Sequence, residues 1–259
     1  MSSSQPASID RSSLLSALDG LLQPQLFRDY GPNGLQVEGR SQVRRLVTGV
    51  TASLALIDAA IDAQADAILV HHGLFWRGQD GRVTGWMRQR LGRLLGSDIN
   101  LFAYHLPLDA HGELGNNAQL AQRLSVRVTE GPAGRFGDQA IGFMGHRAPG
   151  PLSALAEDIA RRLGRKPIVV GHPEREVRNV ALCTGGAQGY FESAIAAGAD
   201  VFITGEISEP QAHYARETGV AYIACGHHAS ERYGVAAVGE HLSRMHGVHH
   251  QFIEIDNPA

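Results

Sequence analysis

Cysteine is scarce in this chain, which has 2 cysteines among 259 residues, Cys183 and Cys225. A disulfide framework needs several paired cysteines, so the sequence excludes a small secreted fold held together by disulfides. Both cysteines stand in apolar, strand-like stretches, and we expect them to pack as thiols in the core. This cysteine content is typical of a protein from a reducing compartment.

Long hydrophobic runs are also missing. No apolar run approaches the roughly 18 residues that a membrane-spanning helix needs. The polar start, MSSSQPAS, contains no hydrophobic region of the signal-peptide type. We therefore expect a cytoplasmic protein that has no membrane partner.

An excess of positive charge is absent as well. Lys and Arg total 23 against 26 for Asp and Glu. This balance argues against nucleic acid as a partner, and it weakens the hypothesis of a ring of subunits that encircles a duplex. With 43% hydrophobic and 19% charged residues, the composition is that of a globular protein with one large or two modest domains.

Apolar strands alternate with amphipathic helices through most of the sequence. The strand-like segments VRRLVTGV, AILV and NLFAY are separated by the helix-like segments SLALIDAAIDAQ and GWMRQRLGRLLGSD. This order predicts an α/β fold with mostly parallel strands. Glycine and proline interrupt the pattern at residues 126–177, and the pattern returns from residue 178. We therefore predict two related three-layer-like α/β units, 1–125 and 178–259, which together form one metal-binding domain around a small inserted α+β segment, 126–177.

A motif rich in potential metal ligands occurs once in each half. IDAAIDAQADAILVHH aligns with FESAIAAGADVFITGE, which places Asp66 on Asp200 and His72 on Glu206. In both halves a second strand then leads to a histidine followed four residues later by a carboxylate. The candidate ligands of the two copies are His71, His72, His105, Asp109, Glu206, His227 and Glu231.

These residue types, at the ends of strands, favour a metal site. Ligands of open parallel sheets bind beyond the carboxyl ends of the strands. Residues four apart on a helical turn share a face, so His227 and Glu231 could direct two ligands at one point. Imidazole and carboxylate suit Zn, Mn, Fe, Co or Ni, and bridging carboxylates allow two ions about 3.5–4 Å apart. A single such pair is more often an exposed pair, but the repetition favours a site with two divalent ions.

Two other catalytic motifs are missing. The glycine-rich segment CTGGAQGYFE has no Lys-Ser/Thr ending, so it does not match a P-loop, and its glycines favour a tight turn between a strand and a helix. No Gly-x-Ser-x-Gly elbow is present, which argues against a serine acyl transferase.

The chain resembles the Nif-three-like family, whose members are labelled GTP cyclohydrolase 1 type 2 homologues. The resemblance runs almost end to end, through GPNGLQVEG, ADAILVHHGLFW, AYHLPLDA, FITGEIS and GHHASERYG in that order. It implies two related α/β units that meet at a dinuclear metal site, and assembly into a ring-shaped homohexamer. It moves His105 and Glu206 to supporting roles, in proton transfer or beside the ligands. The metal ligands that it implies are His71, His72, Asp109, His227 and Glu231.

The leading hypothesis for function is a hydrolase in which two divalent ions per chain activate water. The substrate is expected to be a small molecule, such as a nucleotide. If the cyclohydrolase label holds, water opens the imidazole ring of GTP and formate is released. The alternative is a metal-binding, metal-delivery or regulatory protein without catalysis, because no substrate-specific motif accompanies the ligands.

Overall fold

The computed structural model describes residues 7–259, and the first six residues of the polar N-terminus lie outside this range. The chain divides into two compact units. The first contains the described residues through Leu108 together with Val235–Asp256, and the second contains Asp109–Gly234 and Asn257–Ala259. The division of the chain at residues 125 and 177 stays a prediction.

Fourteen strands lie within the described residues. In chain order they are β1 (Ile9–Asp10), β2 (Gly34–Val37), β3 (Gln42–Val43), β4 (Arg45–Thr51), β5 (Ala67–His72), β6 (Asn100–Ala103), β7 (Arg127–Val128), β8 (Arg135–Phe136), β9 (Gly142–Pro151), β10 (Ile168–Val170), β11 (Glu176–Leu182), β12 (Val201–Thr204), β13 (Ala221–Ala224) and β14 (His249–Phe252).

Nine α-helices accompany these strands in the same part of the chain. They are α1 (Arg11–Leu22), α2 (Leu54–Asp62), α3 (Gly85–Gly96), α4 (Leu106–Ala110), α5 (Asn116–Arg123), α6 (Leu152–Leu163), α7 (Phe191–Ala196), α8 (Glu209–Thr218) and α9 (His227–His246). Among residues 7–259, no helix combines the length and the apolar character that crossing a membrane requires.

A five-stranded sheet forms the centre of the first unit, in the order β14-β4-β5-β6-β2. Its strands are parallel except β2, which pairs antiparallel with β6. Helix α2 connects β4 to β5, and α3 connects β5 to β6, as the alternating pattern predicts. Ser53 caps α2 by accepting the N–H of Leu56, and the buried face of this helix carries Leu56, Ile57 and Ala60.

The sheet of the second unit has the order β10-β13-β12-β11-β9-β7, with β8 also paired to β9. The three strands β11, β12 and β13 are parallel. The remaining pairs are antiparallel, and they involve strands of the segment 126–177. This segment also supplies α6, whose Leu155, Ile159 and Leu163 lie in the core. Parallel strands therefore form the middle of this sheet, and antiparallel strands flank them.

Each unit contains the same β-α-β-α-β order, formed by β4-α2-β5-α3-β6 in the first and β11-α7-β12-α8-β13 in the second. The aligned aspartates make the same contacts. Oδ2 of Asp66 accepts the N–H groups of Arg44 and Arg45 at 2.8 and 2.9 Å. Oδ2 of Asp200 accepts those of Arg178 and Asn179 at 3.0 and 2.7 Å. The predicted α/β class with two related units is confirmed.

Candidate metal centre

The first unit brings three histidine side chains together, and we call His71, His72 and His105 the histidine cluster. His71 and His72 are the last residues of β5, so the strand extends two residues beyond the predicted segment AILV. His105 follows β6, which is the parallel neighbour of β5. One ring nitrogen from each histidine lies within 4.8 Å of the others. The three rings are therefore close enough to share one ion.

An oxygen atom orients each ring of the histidine cluster through Nδ1. Histidines that bind metal usually donate their other ring N–H to a carboxylate, a carbonyl or a comparable oxygen, which fixes the tautomer and the direction of the ring. Because a carbonyl and a carboxylate only accept hydrogen bonds, Nδ1 of His71 and of His105 donates, and Nε2 is the nitrogen that these two rings can direct at an ion. The Nδ1 contacts are His71 with the carbonyl of Tyr104 at 3.1 Å, His72 with Oγ1 of Thr51 at 3.1 Å, and His105 with Oδ1 of Asp29 at 2.7 Å.

Asp29 fixes the position of the His105 ring and also that of the backbone around His105. Its Oδ2 accepts the N–H of Leu106 and the amide N–H of Asn33, both at 2.9 Å, while Oδ1 of Asn33 accepts the N–H of His105. Burial raises the pKa of Asp29, but the hydrogen bond and the charge of His105, with further donors, outweigh burial and lower it. Asp29 is not among the residues predicted from the sequence, because no local pattern links it to His105.

The second unit places His227 between two carboxylates. His227 begins α9, directly after β13 and the turn that follows it. Its Nε2 lies 3.2 Å from Oε2 of Glu231, one helical turn later, as the spacing predicts. Its Nδ1 lies 2.7 Å from Oε1 of Glu206. Burial lowers the pKa of His227, but Glu231 and Glu206 outweigh burial and raise it to about 9.

Gly185 makes room for the carboxylate of Glu231. The residue has φ +71°, and a Cβ at this position would overlap with Oε1 of Glu231. The N–H of Gly185 is donated to Oγ of Ser230 at 3.0 Å, which ties the turn to α9. The turn between β11 and α7 therefore needs glycine for its conformation, as expected, and also for the space that Glu231 occupies.

Asp109 is held by side chains of the second unit and is 6% exposed. Its Oδ1 accepts the amide N–H of Asn116 at 2.9 Å and the hydroxyl of Thr184 at 3.2 Å. Oδ1 of Asn116 accepts the N–H of Gly234 in α9. These contacts fix the orientation of the Asp109 carboxylate before any ion binds.

The donor set of each unit fits a divalent ion. The first unit offers three imidazoles that are already oriented through Nδ1. The second offers the imidazole of His227, 3.2 Å from the Glu231 carboxylate, together with the oriented carboxylate of Asp109. Nitrogen and carboxylate donors at such separations suit Zn, Mn, Fe, Co and Ni.

Histidines outside these groups have other surroundings. His213 is exposed on α8 and pairs with Glu209 at 2.8 Å. His249 and His250 are neighbours in β14. His249 is exposed, but His250 is half-buried, and its Nε2 lies 2.8 Å from Oγ1 of Thr48, because alternate residues of β14 point to opposite faces of the sheet.

Comparison with known proteins identifies close relatives over nearly the whole chain. The family model described as Duf34/NIF3 (NGG1p interacting factor 3) matches residues 9–258. A protein named GTP cyclohydrolase 1 type 2 homolog from Neisseria meningitidis serogroup B is 52% identical over 239 residues, which cover 92% of this chain and 94% of the relative. A protein of the same name from Pseudomonas aeruginosa is 51% identical over 251 residues, which cover 96% and 98%.

Solved structures match at similar coverage. One, described as the protein ybgI of unknown function, has a TM-score of 0.92 and 47% identity, covering 97% of this chain and 100% of its own. A crystal structure of a protein from Thermus thermophilus has a TM-score of 0.86 and 34% identity, with the same two coverages.

Proposed function

Because the chain belongs to the Duf34/NIF3 family, we propose that it is a hydrolase that depends on divalent metal. In this proposal each chain binds two ions at a dinuclear site. The ions are drawn from Zn, Mn, Fe, Co and Ni. The proposed ligands are His71, His72, Asp109, His227 and Glu231.

The histidine cluster is the observation that carries the proposal. Three imidazoles lie close together at the carboxyl ends of two parallel strands, and each is oriented by an oxygen partner through Nδ1. One ring nitrogen of each lies within 4.8 Å of the others, a separation that suits donors to one ion. The pairing of His227 with Glu231 in the second unit is independent support.

Hydrolysis requires a water molecule that loses a proton easily and residues that accept this proton. A bound divalent ion supplies Lewis acidity, which makes water a stronger acid and polarises the oxygen of a substrate. Glu206 holds Nδ1 of His227 at 2.7 Å and so fixes the ring that binds through Nε2. Asp29 does the same for His105, whose Nε2 is available for proton transfer in this proposal. His105 and Glu206 thus have supporting roles in proton transfer and orientation.

The names of the relatives suggest one reaction for this site. In a GTP cyclohydrolase reaction, water adds to the carbon between the two imidazole nitrogens and one carbon–nitrogen bond breaks. A second water then hydrolyses the resulting formamide, and formate leaves. We propose a nucleotide of this kind as the small-molecule substrate. Metal-loaded protein incubated with GTP should release formate and lose the purine absorbance.

Metal binding can be tested independently of turnover. Elemental analysis after reloading should give two ions per chain, and the variants His71→Ala and Glu231→Gln should each bind metal more weakly. If both residues serve one dinuclear site, the losses in the double variant will not add. Additive losses would contradict a shared site. Full metal binding without turnover of nucleotides, phosphoesters or amides would favour a metal-delivery or regulatory protein instead.

We further propose that the protein is cytoplasmic and that it assembles into a homo-oligomer. Both cysteines are free and buried, which suits a cytoplasmic protein. We propose a homohexamer, and light scattering coupled to size-exclusion chromatography should return six times the chain mass of 27.8 kDa. A monomer or dimer at working concentration would contradict this assembly.

A further inference from the structure

A cleft of about 140 Å³ lies beside the histidine cluster in the first unit. Pockets for drug-sized ligands measure about 300–1,000 Å³, so this cleft has room for one flat ring system rather than a whole nucleotide. Its lining combines apolar, aromatic and polar side chains, which include Phe75, Trp76, Gln79, Arg82, Val83 and Met87.

Phe75 and Trp76 relate this cleft to the histidine cluster, because they line the cleft. Both residues also line a smaller cavity whose walls include His71 and His105. The Trp76 ring stands edge-on to the His105 ring, with centroids 5.0 Å apart and an interplanar angle of 90°. Its centroid is 6.0 Å from that of His72. A ring bound against Trp76 would therefore contact a side chain that itself packs against the histidine cluster.

The outer side of the cleft is polar. Gln79 accepts the N–H of Trp76 through Oε1 at 3.1 Å, and its amide N–H₂ offers donors. Arg82 donates Nε–H to Oδ2 of Asp80 at 2.7 Å, and the Arg82 side chain is 80% exposed. Gln79 and Arg82 are both exposed, so a ligand in the cleft meets polar groups at the outer edge. A nitrogen heterocycle has donors and acceptors on its edge as well as a face for stacking.

We propose that this cleft binds a flat nitrogen heterocycle, of the nucleobase class, against Trp76. The inference rests on the proposed function, because it names the part of the substrate that lies next to the metal ligands. Sugar and phosphate groups lie outside the cleft in this arrangement, since the volume accommodates only the base.

The two tryptophans of the chain allow a direct test. Trp86 is 54% exposed, carries Arg90 over its ring, and does not line the cleft. In the variant Trp86→Phe, metal-free protein should show saturable quenching of Trp76 fluorescence by guanosine and by adenosine. In Trp76→Phe, the emission of Trp86 should not respond. No saturable quenching of Trp76, or an equal response of both tryptophans, would overturn the proposal.

Equilibrium dialysis tests the affinity and the class of ligand. Trp76→Ala should bind guanosine about tenfold more weakly than Trp86→Ala, since one stacking contact is lost. Ribose 5-phosphate should not compete, and N-acetyl-phenylalaninamide should compete poorly. Equal competition by either compound would overturn the assignment of a heterocycle.

A second pair of variants keeps Trp76 in place. Gly81 lines the cleft and has open space around an added Cβ, as does Gly92 in α3, which does not line it. Gly81→Leu should weaken guanosine binding several-fold, and Gly92→Leu should not.

Metal content measured on the same samples distinguishes failure of the metal site from failure of the cleft. Guanosine binding without metal binding would overturn the dinuclear site alone, and metal binding without guanosine binding would overturn the cleft alone.

Discussion

Oδ1 of Asp29 lies 2.7 Å from Nδ1 of His105, although 76 positions separate the two residues in the sequence. The same carboxylate holds the backbone N–H of Leu106, so Asp29 fixes both the ring of His105 and the chain that follows it. A carboxylate in this position raises the basicity of the imidazole and fixes the direction of its ring.

Replacing Asp29 by Asn should lower the turnover of the metal-loaded protein, because Asp29 orients the His105 ring that is proposed to transfer protons. The amide keeps the shape of the side chain but removes its charge, and the loss of such a partner typically costs about 10–100-fold in activity. The rate of formate release from GTP measures this change. The control is Asp58→Asn, because Asp58 is partly exposed on α2 and pairs with Arg93. Equal rates for the two variants would show that Asp29 has no influence on the reaction.

Replacing Gly185 by Ala should disturb metal binding in the second unit. The added Cβ would overlap with the Glu231 carboxylate, and the backbone would keep an unfavourable φ of +71°. We expect Glu231 to move away from His227 and the ion content to fall after dialysis. Gly189→Ala is the matched control, since an added Cβ there has no neighbour within 4 Å. If the two variants retain the same number of ions, Gly185 serves the turn alone.

Replacing Asp66 or Asp200 by Ala should destabilise the fold. Each substitution removes the acceptor for two backbone N–H groups. A buried donor left unsatisfied costs about 1–3 kcal/mol, whereas the exposed donors at Asp200 can bond to water instead. Asp66 should be the costlier, because it is 9% exposed and also pairs with Arg40 at 2.9 Å. Urea unfolding measures the two free energies, with the exposed Asp62→Ala as control. A cost at Asp66 no larger than that at Asp62 would contradict this account.

Asp66 and Asp200 also show which features of the fold and of the candidate site could be predicted from the sequence. The repeat predicts Asp66 and Asp200 as equivalent positions, because strand and helix periodicity is local along the chain. Periodicity contains no information about the partners of a ring, so Asp29 could not be recognised as the carboxylate that holds His105. The antiparallel strands from residues 126–177 were equally hard to place, since β9 contains Gly and Pro and pairs with distant segments. The ligand types were predictable, but the contacts that orient them were not.

His250 should make the stability of the protein depend on pH. Burial lowers the pKa of His250, with opposing influences from Glu240, which raises it, and His249, which lowers it. The unfolded chain, with an ordinary histidine pKa of 6.5, therefore binds a proton more readily than the folded protein does. The contribution of His250 is fully present above the unfolded pKa and is lost as the pH falls through 6.5 toward the lower folded value.

The substitution His250→Gln tests this dependence. Glutamine does not titrate and can still interact with Thr48, whose Oγ1 lies 2.8 Å from Nε2 of His250. The free energy of unfolding, measured in urea between neutral and mildly acidic pH, should fall less steeply in this variant than in the parent. His249→Gln, at the exposed neighbouring position, should keep the steeper parental slope. Identical slopes for His250→Gln and the parent would mean that the ring is protonated as easily in the folded protein as in the unfolded chain.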